Sequence, residues 1–204
     1  MKRLIYILAA LILAAGCEKE GEDITLSQIQ RIESFLTSSH SPRLIAYDKL
    51  DEYMDDSTLP QFYETFGRTA FRYIVNYYDE ERLSRPEILR GQTISITCTV
   101  YNFTSYRAPG IKELVFTNDP SMEELMAEAG WTMENNPFFT FEPLRVTVGS
   151  GGMVSGVDAA LRGCRAGDEV EIYCTSSEAY GDKLIESLPK NTPLYWHIVI
   201  NGME

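Results

Sequence analysis

The side chains best suited to covalent or metal chemistry are few in these 204 residues and badly spaced for it. There are four cysteines, Cys17, Cys98, Cys164 and Cys174, and two histidines, His40 and His197. No CxxC or Cys/His spacing occurs, so no zinc site is expected. A Cys-His nucleophile would need an imidazole beside a thiol, and nothing local brings one there. Cys98, Cys164 and Cys174 are expected as small buried hydrophobes. Carboxylates are plentiful, 30 against 18 Lys and Arg for a net charge of −12, but no spacing singles out a pair for glycoside hydrolysis. That charge repels nucleic acid and anionic lipid, with no basic patch to offset it, and reads as a solvated surface. The run VTVGSGGMVSG from Val146 has the glycines of a phosphate-cradling turn. Such a turn needs a full helix behind it; here Gly163 stops the helix within two turns and a strand follows, with no βαβ crossover.

One thiol stands apart. Cys17 ends the run MKRLIYILAALILAAGC, in which Lys2 and Arg3 precede an apolar stretch from Leu4 to Ala14, followed by the small residues Ala15 and Gly16. The stretch is shorter than the ~20 residues of a membrane-spanning helix. A secretion signal needs small residues before its cleavage point but no cysteine after it, whereas a thiol at that point can be alkylated with a diacylglyceryl group. The segment resembles the lipobox of bacterial lipoproteins, departing from it at Ala14, where Leu, Val or Ile is usual. The resemblance implies a signal peptide over 1–16, lipidation at Cys17 and a protein anchored in the membrane of the bacterial cell envelope, facing the periplasm or the surface. Acyl chains hold at about 0.8 kcal/mol per buried methylene. The three thiols left would be an odd number in an oxidising compartment. Residues 17–25 read as a tether, because Glu18–Asp23 is acidic and lacks apolar side chains; the stretch is also similar to acidic export tags of outer-membrane lipoproteins.

The elements that must position any site follow from periodicity. LSQIQRIESFLT, residues 26–37, has apolar side chains at Leu26, Ile29, Ile32, Phe35 and Leu36, which is helical spacing. Further helical pieces are expected over Leu44–Met54 and Leu59–Phe66, giving a helical extension over 26–70 that could cap the domain, dimerise or hold clients. From Phe71 the pattern changes. FRYIVNYY is rich in aromatic and β-branched residues, and ISITCTV alternates strictly, as do EVEIYCT and LYWHIVI. ELVF and LRVTV add short strands. Ser121 with Glu124 has the spacing of a capping box for a short helix, and VDAAL is a second one. About five strands with one short helix late in the chain predict an α+β domain over 71–204, an antiparallel sheet with a helix against one face.

Three pieces of that domain occur in a familiar order. They are MVSGVDAAL from Met153, GCRAGDEVEIYCTSSEAYGD from Gly163 and LPKNTPLYWHIVI from Leu188, with GQTISITC from Gly91 and FTND from Phe116 upstream. Together they resemble the FKBP-type peptidyl-prolyl cis-trans isomerases over about 115 residues. The resemblance implies an FKBP-like antiparallel sheet wrapped on a short helix, and isomerisation of X-Pro bonds in proline-containing polypeptides with no cofactor. It places Tyr180 as a hydroxyl donor to substrate, the Val154 backbone N–H toward a substrate carbonyl, and Phe116 in a pocket wall. Met153, Val157, Leu188, Trp196 and Cys98 are implied as substrate-binding. Three positions depart from the family pattern. Val157 stands where a pocket-floor tryptophan is usual, Thr117 replaces an aspartate that polarises the site, and Cys98 or, with a two-residue gap, Tyr101 takes the place of a pocket tyrosine. The alternation of Ile94, Ile96 and Cys98 favours Cys98. Phe138, Phe139 and Phe141 are candidates to restore the aromatic wall. Two other readings keep the fold: a catalytically weak chaperone or binding module, and a structural envelope lipoprotein.

Overall fold

The computed structural model describes residues 21–38, 43–45, 62–131, 140–185 and 188–204; the lipidation candidate Cys17, Phe138 and Phe139 lie outside them. The described residues begin with helix α1 over 21–38. Strands β1 (Arg43–Ile45), β2 (Phe62–Phe66), β3 (Ala70–Ile74), β4 (Thr93–Asn102) and β5 (Leu114–Thr117) follow. Then come helix α2 (Glu123–Glu128), β6 (Leu144–Thr147), helix α3 (Ser155–Leu161), β7 (Glu169–Cys174) and β8 (Leu194–Met203). The strands form one sheet in the order β1-β2-β3-β7-β8-β4-β5, with β6 also pairing to β4. β1 runs parallel to β2 and the other pairs are antiparallel. The fold is thus α+β, an antiparallel sheet with a short helix on one face, as expected.

Alternation decides which face each side chain takes, because successive strand residues point to opposite sides. Ile94, Ile96, Cys98 and Val100 on β4, Val170, Ile172 and Cys174 on β7, and Leu194, Trp196, Ile198 and Ile200 on β8 all turn to one side. There they bury against Val157, Ala160 and Leu161 of α3. This is the inner face. On the outer face Ile29, Ile32, Phe35 and Leu36 of α1 pack on Phe71, Phe103 and Tyr173, while Leu26 stays exposed. β8 pairs with nearly the whole of β4 on one edge, while on the other edge the first half of β4 pairs with β6 and the second with β5. Asn118 fills the gap between them. Its Oδ1 accepts from the Cys98 N–H at 2.6 Å, and its Nδ2 donates to the Ile96 and Glu142 carbonyls at 3.0 and 2.9 Å.

Several expectations are corrected. Phe62–Phe66 is strand β2, not helix, and Arg43–Ile45 is β1. Apolar residues at 59, 62, 63 and 66 mimic a helical stripe, but Gly67 and Arg68 both adopt left-handed φ, +56° and +60°. Two such residues in a row turn the chain back into a hairpin, and Glu64 on β2 is then opposite Arg72 on β3, with which it forms a buried ion pair. The sheet therefore starts before residue 71. α1 already occupies 21–25, which the acidic composition had assigned to a tether; Glu22 and Asp23 lie in its first described turn, where the helix dipole favours negative charge. No capping box forms at Ser121 and Glu124: Asp119 accepts from the Ser121 N–H at 2.9 Å and caps a single 3-10 turn leading into α2.

Candidate functional site

The eight residues singled out from sequence gather on the inner face, in one apolar cluster. They come from six places: Cys98 from β4, Phe116 from β5, Met153 and Val154 from the turn before α3, Val157 from α3, Tyr180 and Leu188 from the loops between β7 and β8, and Trp196 from β8. Cys98, Val157, Leu188 and Trp196 are buried, while Phe116, Met153, Val154 and Tyr180 are half-buried. Four of the candidates thus belong to the core and four to its partly exposed edge. Register sets the width of the cluster. Phe116 faces Val100 across β5 and β4, Val100 faces Trp196 across β4 and β8, and Trp196 faces Ile172 on β7. Val100, at the middle of that row, was not among the sequence candidates, although its place in the alternation of β4 could have nominated it.

Glycine makes the closest approach possible. A Cβ on Gly156 would stand 2.8 Å from the Cβ of Cys174 and 3.0 Å from that of Glu178, closer than carbon atoms pack. Only glycine lets α3 lie against β7 and the turn that carries Tyr180. Ser155 and Glu178 fasten the same contact, the serine hydroxyl donating to the carboxylate at 2.6 Å, and Thr69 donates to Glu178 at 3.2 Å from the β2–β3 turn. Asp158 accepts from the Gly149 N–H at 2.6 Å and so ties the glycine-rich turn, with Met153 and Val154 at its end, down onto α3.

The ionisation states suit binding rather than covalent chemistry. Burial pushes the thiols of Cys98 and Cys174 up to about 12 and that of Cys164 up to about 11. All three are free and buried; as neutral thiols they are poor nucleophiles. Burial, with a smaller contribution from Cys174, also raises Tyr180 above the ordinary phenol value, so its hydroxyl keeps its proton as a hydrogen-bond donor. Among the described residues the Trp196 Nε1–H is buried without a hydrogen-bond partner.

Two sequence expectations fail at the site. Thr117 does not enter it: it faces Thr99, whose hydroxyl lies 2.8 Å from its own, and it donates to the Cys98 carbonyl at 3.2 Å, on the outer side of the sheet. Phe141 packs on Leu114 and Met126 instead of the inner cluster. A separate cavity of about 290 Å³ opens on the outer face, lined in part by Tyr101, Tyr173, Tyr195, Asp119, Glu171 and His197. None of the eight candidates lines it. Its hydroxyls and carboxylates are the opposite of a dry apolar pocket, so the inner-face cluster is the better candidate.

Comparison with known proteins places the inner face in context. The sequence model of the FKBP-type peptidyl-prolyl cis-trans isomerases matches residues 127–201. That range contains Met153, Val154, Val157, Tyr180, Leu188 and Trp196, and leaves Cys98 and Phe116 outside. No curated protein sequence matches the chain. Among solved structures it is similar to the N-terminal domain of FKBP42 from Arabidopsis thaliana, with 10% identity and a TM-score of 0.46 over 72% of this chain and 94% of that one. It is also similar to the three FKBP domains of wheat FKBP73, with 10% identity and a TM-score of 0.48 over 69% of this chain and 48% of that one, about half the wheat chain's length.

Proposed function

Since the chain belongs, through its C-terminal domain, to the FKBP-type peptidyl-prolyl cis-trans isomerase family, we propose that it catalyses rotation about X-Pro bonds of cell-envelope polypeptides at the inner-face cluster. The barrier to that rotation is amide resonance, and the uncatalysed exchange takes tens to hundreds of seconds. A twisted amide has lost resonance and much of its dipole. A water-poor apolar surface therefore disfavours the planar ground state relative to the twisted one, and each ~1.4 kcal/mol gained is tenfold in rate. Phe116 and Met153 would face the prolyl ring, with Trp196 and Leu188 beneath them and Cys98 and Val157 packed behind. Tyr180 and the Val154 N–H are the donors that hold the flanking carbonyls. One observation supports this reading: the eight residues, distant in sequence, belong to one apolar cluster at whose edge Tyr180 stays half-buried, and burial raises its phenol so that the hydroxyl keeps its proton.

The departure at Thr117 favours a second reading, binding of proline-containing segments without catalysis, because its hydroxyl is engaged with Thr99 and polarises nothing on the inner face. A protease-coupled isomerisation assay on the chain from residue 18 decides between them. Catalysis predicts activity that falls about fivefold in Tyr180→Phe, the loss of one hydrogen bond of about 1 kcal/mol, and that disappears in Val154→Asp. Slowed client aggregation without isomerase activity supports the binding module; a stable partner with neither supports a structural role.

Attachment to the membrane through Cys17 belongs to the same proposal. No helix among the described residues is long and apolar enough to cross a bilayer. The described part of α1 starts four residues beyond Cys17, at most about 14 Å of extended chain, so an acylated Cys17 would hold the domain close to the lipid surface. Cys17→Ser should move the protein from the membrane fraction to the soluble one and abolish labelling by a radioactive fatty acid; unchanged fractionation and labelling refute the anchor.

A further inference from the structure

We infer that α1 is part of the frame of the prolyl site, with Gln28 as a positioning residue for the two loops that carry Tyr180 and Leu188; the inference rests on the site proposed above. α1 covers the outer face of the sheet, yet Gln28 reaches past its edge and is buried, with 4% exposure. Its Oε1 accepts from the Ser176 N–H at 2.7 Å, and its Nε2 donates to the Asn191 carbonyl at 2.8 Å. Ser176 opens the 3-10 turn before Tyr180, and Asn191 lies three residues beyond Leu188.

The two loops are also bonded to each other, and the bonds close a ring. The Gly181 N–H donates to the Ser176 carbonyl at 2.7 Å, and the Asn191 N–H donates to the Gly181 carbonyl at 2.8 Å. Gln28 completes the circuit from Ser176 to Gly181 to Asn191 and back. Both backbone groups of Ser176, Gly181 and Asn191 are thereby used, at two positions with left-handed φ, Gly181 at +61° and Asn191 at +55°. Glycine and asparagine are the residues that best tolerate this region, and the ring of bonds fixes the two turns in it. Only an uncharged primary amide of this length serves both ends, because it offers a donor and an acceptor on one planar group. A glutamate offers an acceptor alone and a methionine neither. The helix fixes the amide in turn, since the neighbouring Ile29 and Ile32 are buried on the sheet.

A Gln that merely satisfied its own buried atoms would affect stability alone. A positioning Gln affects how substrate is held. In the chain from residue 18, Gln28→Met should raise the KM for a proline tetrapeptide about tenfold, as expected for losing interactions worth about 1.4 kcal/mol, with kcat within about twofold. Amide hydrogen exchange should quicken at Ser176, Gly181 and Asn191. Gln28→Glu keeps the acceptor for the Ser176 N–H and loses the donor to the Asn191 carbonyl, so Ser176 should stay protected while the untethered Asn191 turn opens more often and its N–H, bonded to the Gly181 carbonyl, exchanges faster. Unchanged KM and exchange in Gln28→Met, or a lower melting temperature with wild-type KM, overturns the inference. If Gln28→Met does not fold, the split between Ser176 and Asn191 in Gln28→Glu decides alone, and equal exchange at both overturns it. If the wild-type chain neither binds nor turns over proline peptides, the positioning role falls with the proposed function, while the exchange arm still reports whether the ring exists.

Discussion

At the residue scale, the site depends on atoms that are missing as much as on those present. Gly156→Ala places a methyl group 2.8 Å from the Cβ of Cys174 and 3.0 Å from that of Glu178. Overpacking of this kind costs about 1–3 kcal/mol, and here it also pushes on the turn that presents Tyr180. Urea unfolding should show the loss of stability, and the proposed isomerase activity should fall by more than stability alone explains, because the folded fraction stays near unity. The buried thiols give a second test, in alkaline solution. In the unfolded chain a thiol titrates at about 8.5, whereas in the folded chain Cys98 and Cys174 hold their protons up to about 12 and Cys164 up to about 11. Between those values the unfolded state has lost protons that the native state retains, so stability is full below about pH 8.5 and falls as pH rises toward 12. The urea midpoint should drop steadily from pH 8 to pH 11, and Cys98→Val should flatten the decline; a midpoint independent of pH would contradict the burial of these groups.

At the scale of elements, α3 has only seven residues, too few to be stable as an isolated helix, and its C-terminal carbonyls need partners. Arg72 on β3 supplies them, donating from Nη1 to the carbonyls of Ala160 and Arg162 at 2.6 Å each while it pairs with Glu64. Arg72→Met should therefore strand a buried carboxylate and uncap α3 together, at about 3–5 kcal/mol. Combining it with Glu64→Leu should recover part of that loss in denaturant melts, since the stranded charge is then gone. This coupling was not legible in the sequence. The strands with strict alternation, β4, β7 and β8, were, because a two-residue period across a half-buried sheet has few other solutions, and five of the eight site candidates are on such strands (Cys98, Trp196) or at the glycine-marked start of α3 (Met153, Val154, Val157). β2 was not, because LPQFYETF carries a helical stripe and the deciding information lies in the left-handed pair Gly67-Arg68 and in a partner strand across the hairpin. Thr117 shows the same limit at the site: which face a residue takes depends on the register of β5 against β4, and β5 is too short to announce it.

At the scale of the whole molecule, the N-terminal region is joined to the sheet rather than appended to it. α1 buries Ile29, Ile32, Phe35 and Leu36 against the outer face. At about 1.5–3 kcal/mol per fully buried large apolar side chain, the four contribute about 6–12 kcal/mol, similar in size to the entire net stability of an ordinary domain, about 5–15 kcal/mol. β2 adds hydrogen bonds to β3 and the partner of Arg72, and Gln28 reaches the loops of the site. A chain cut to residues 71–204 would expose Phe71, Phe103 and Tyr173, each 1% exposed or less in the intact protein, and leave Arg72 buried without its carboxylate. It should be aggregated or unfolded by size-exclusion chromatography and circular dichroism, whereas a chain starting at residue 21 should melt cooperatively as a monomer. A 71–204 fragment with the melting temperature of the longer chain would mean that the outer-face packing contributes little, and that the family domain folds without the helix that covers its back.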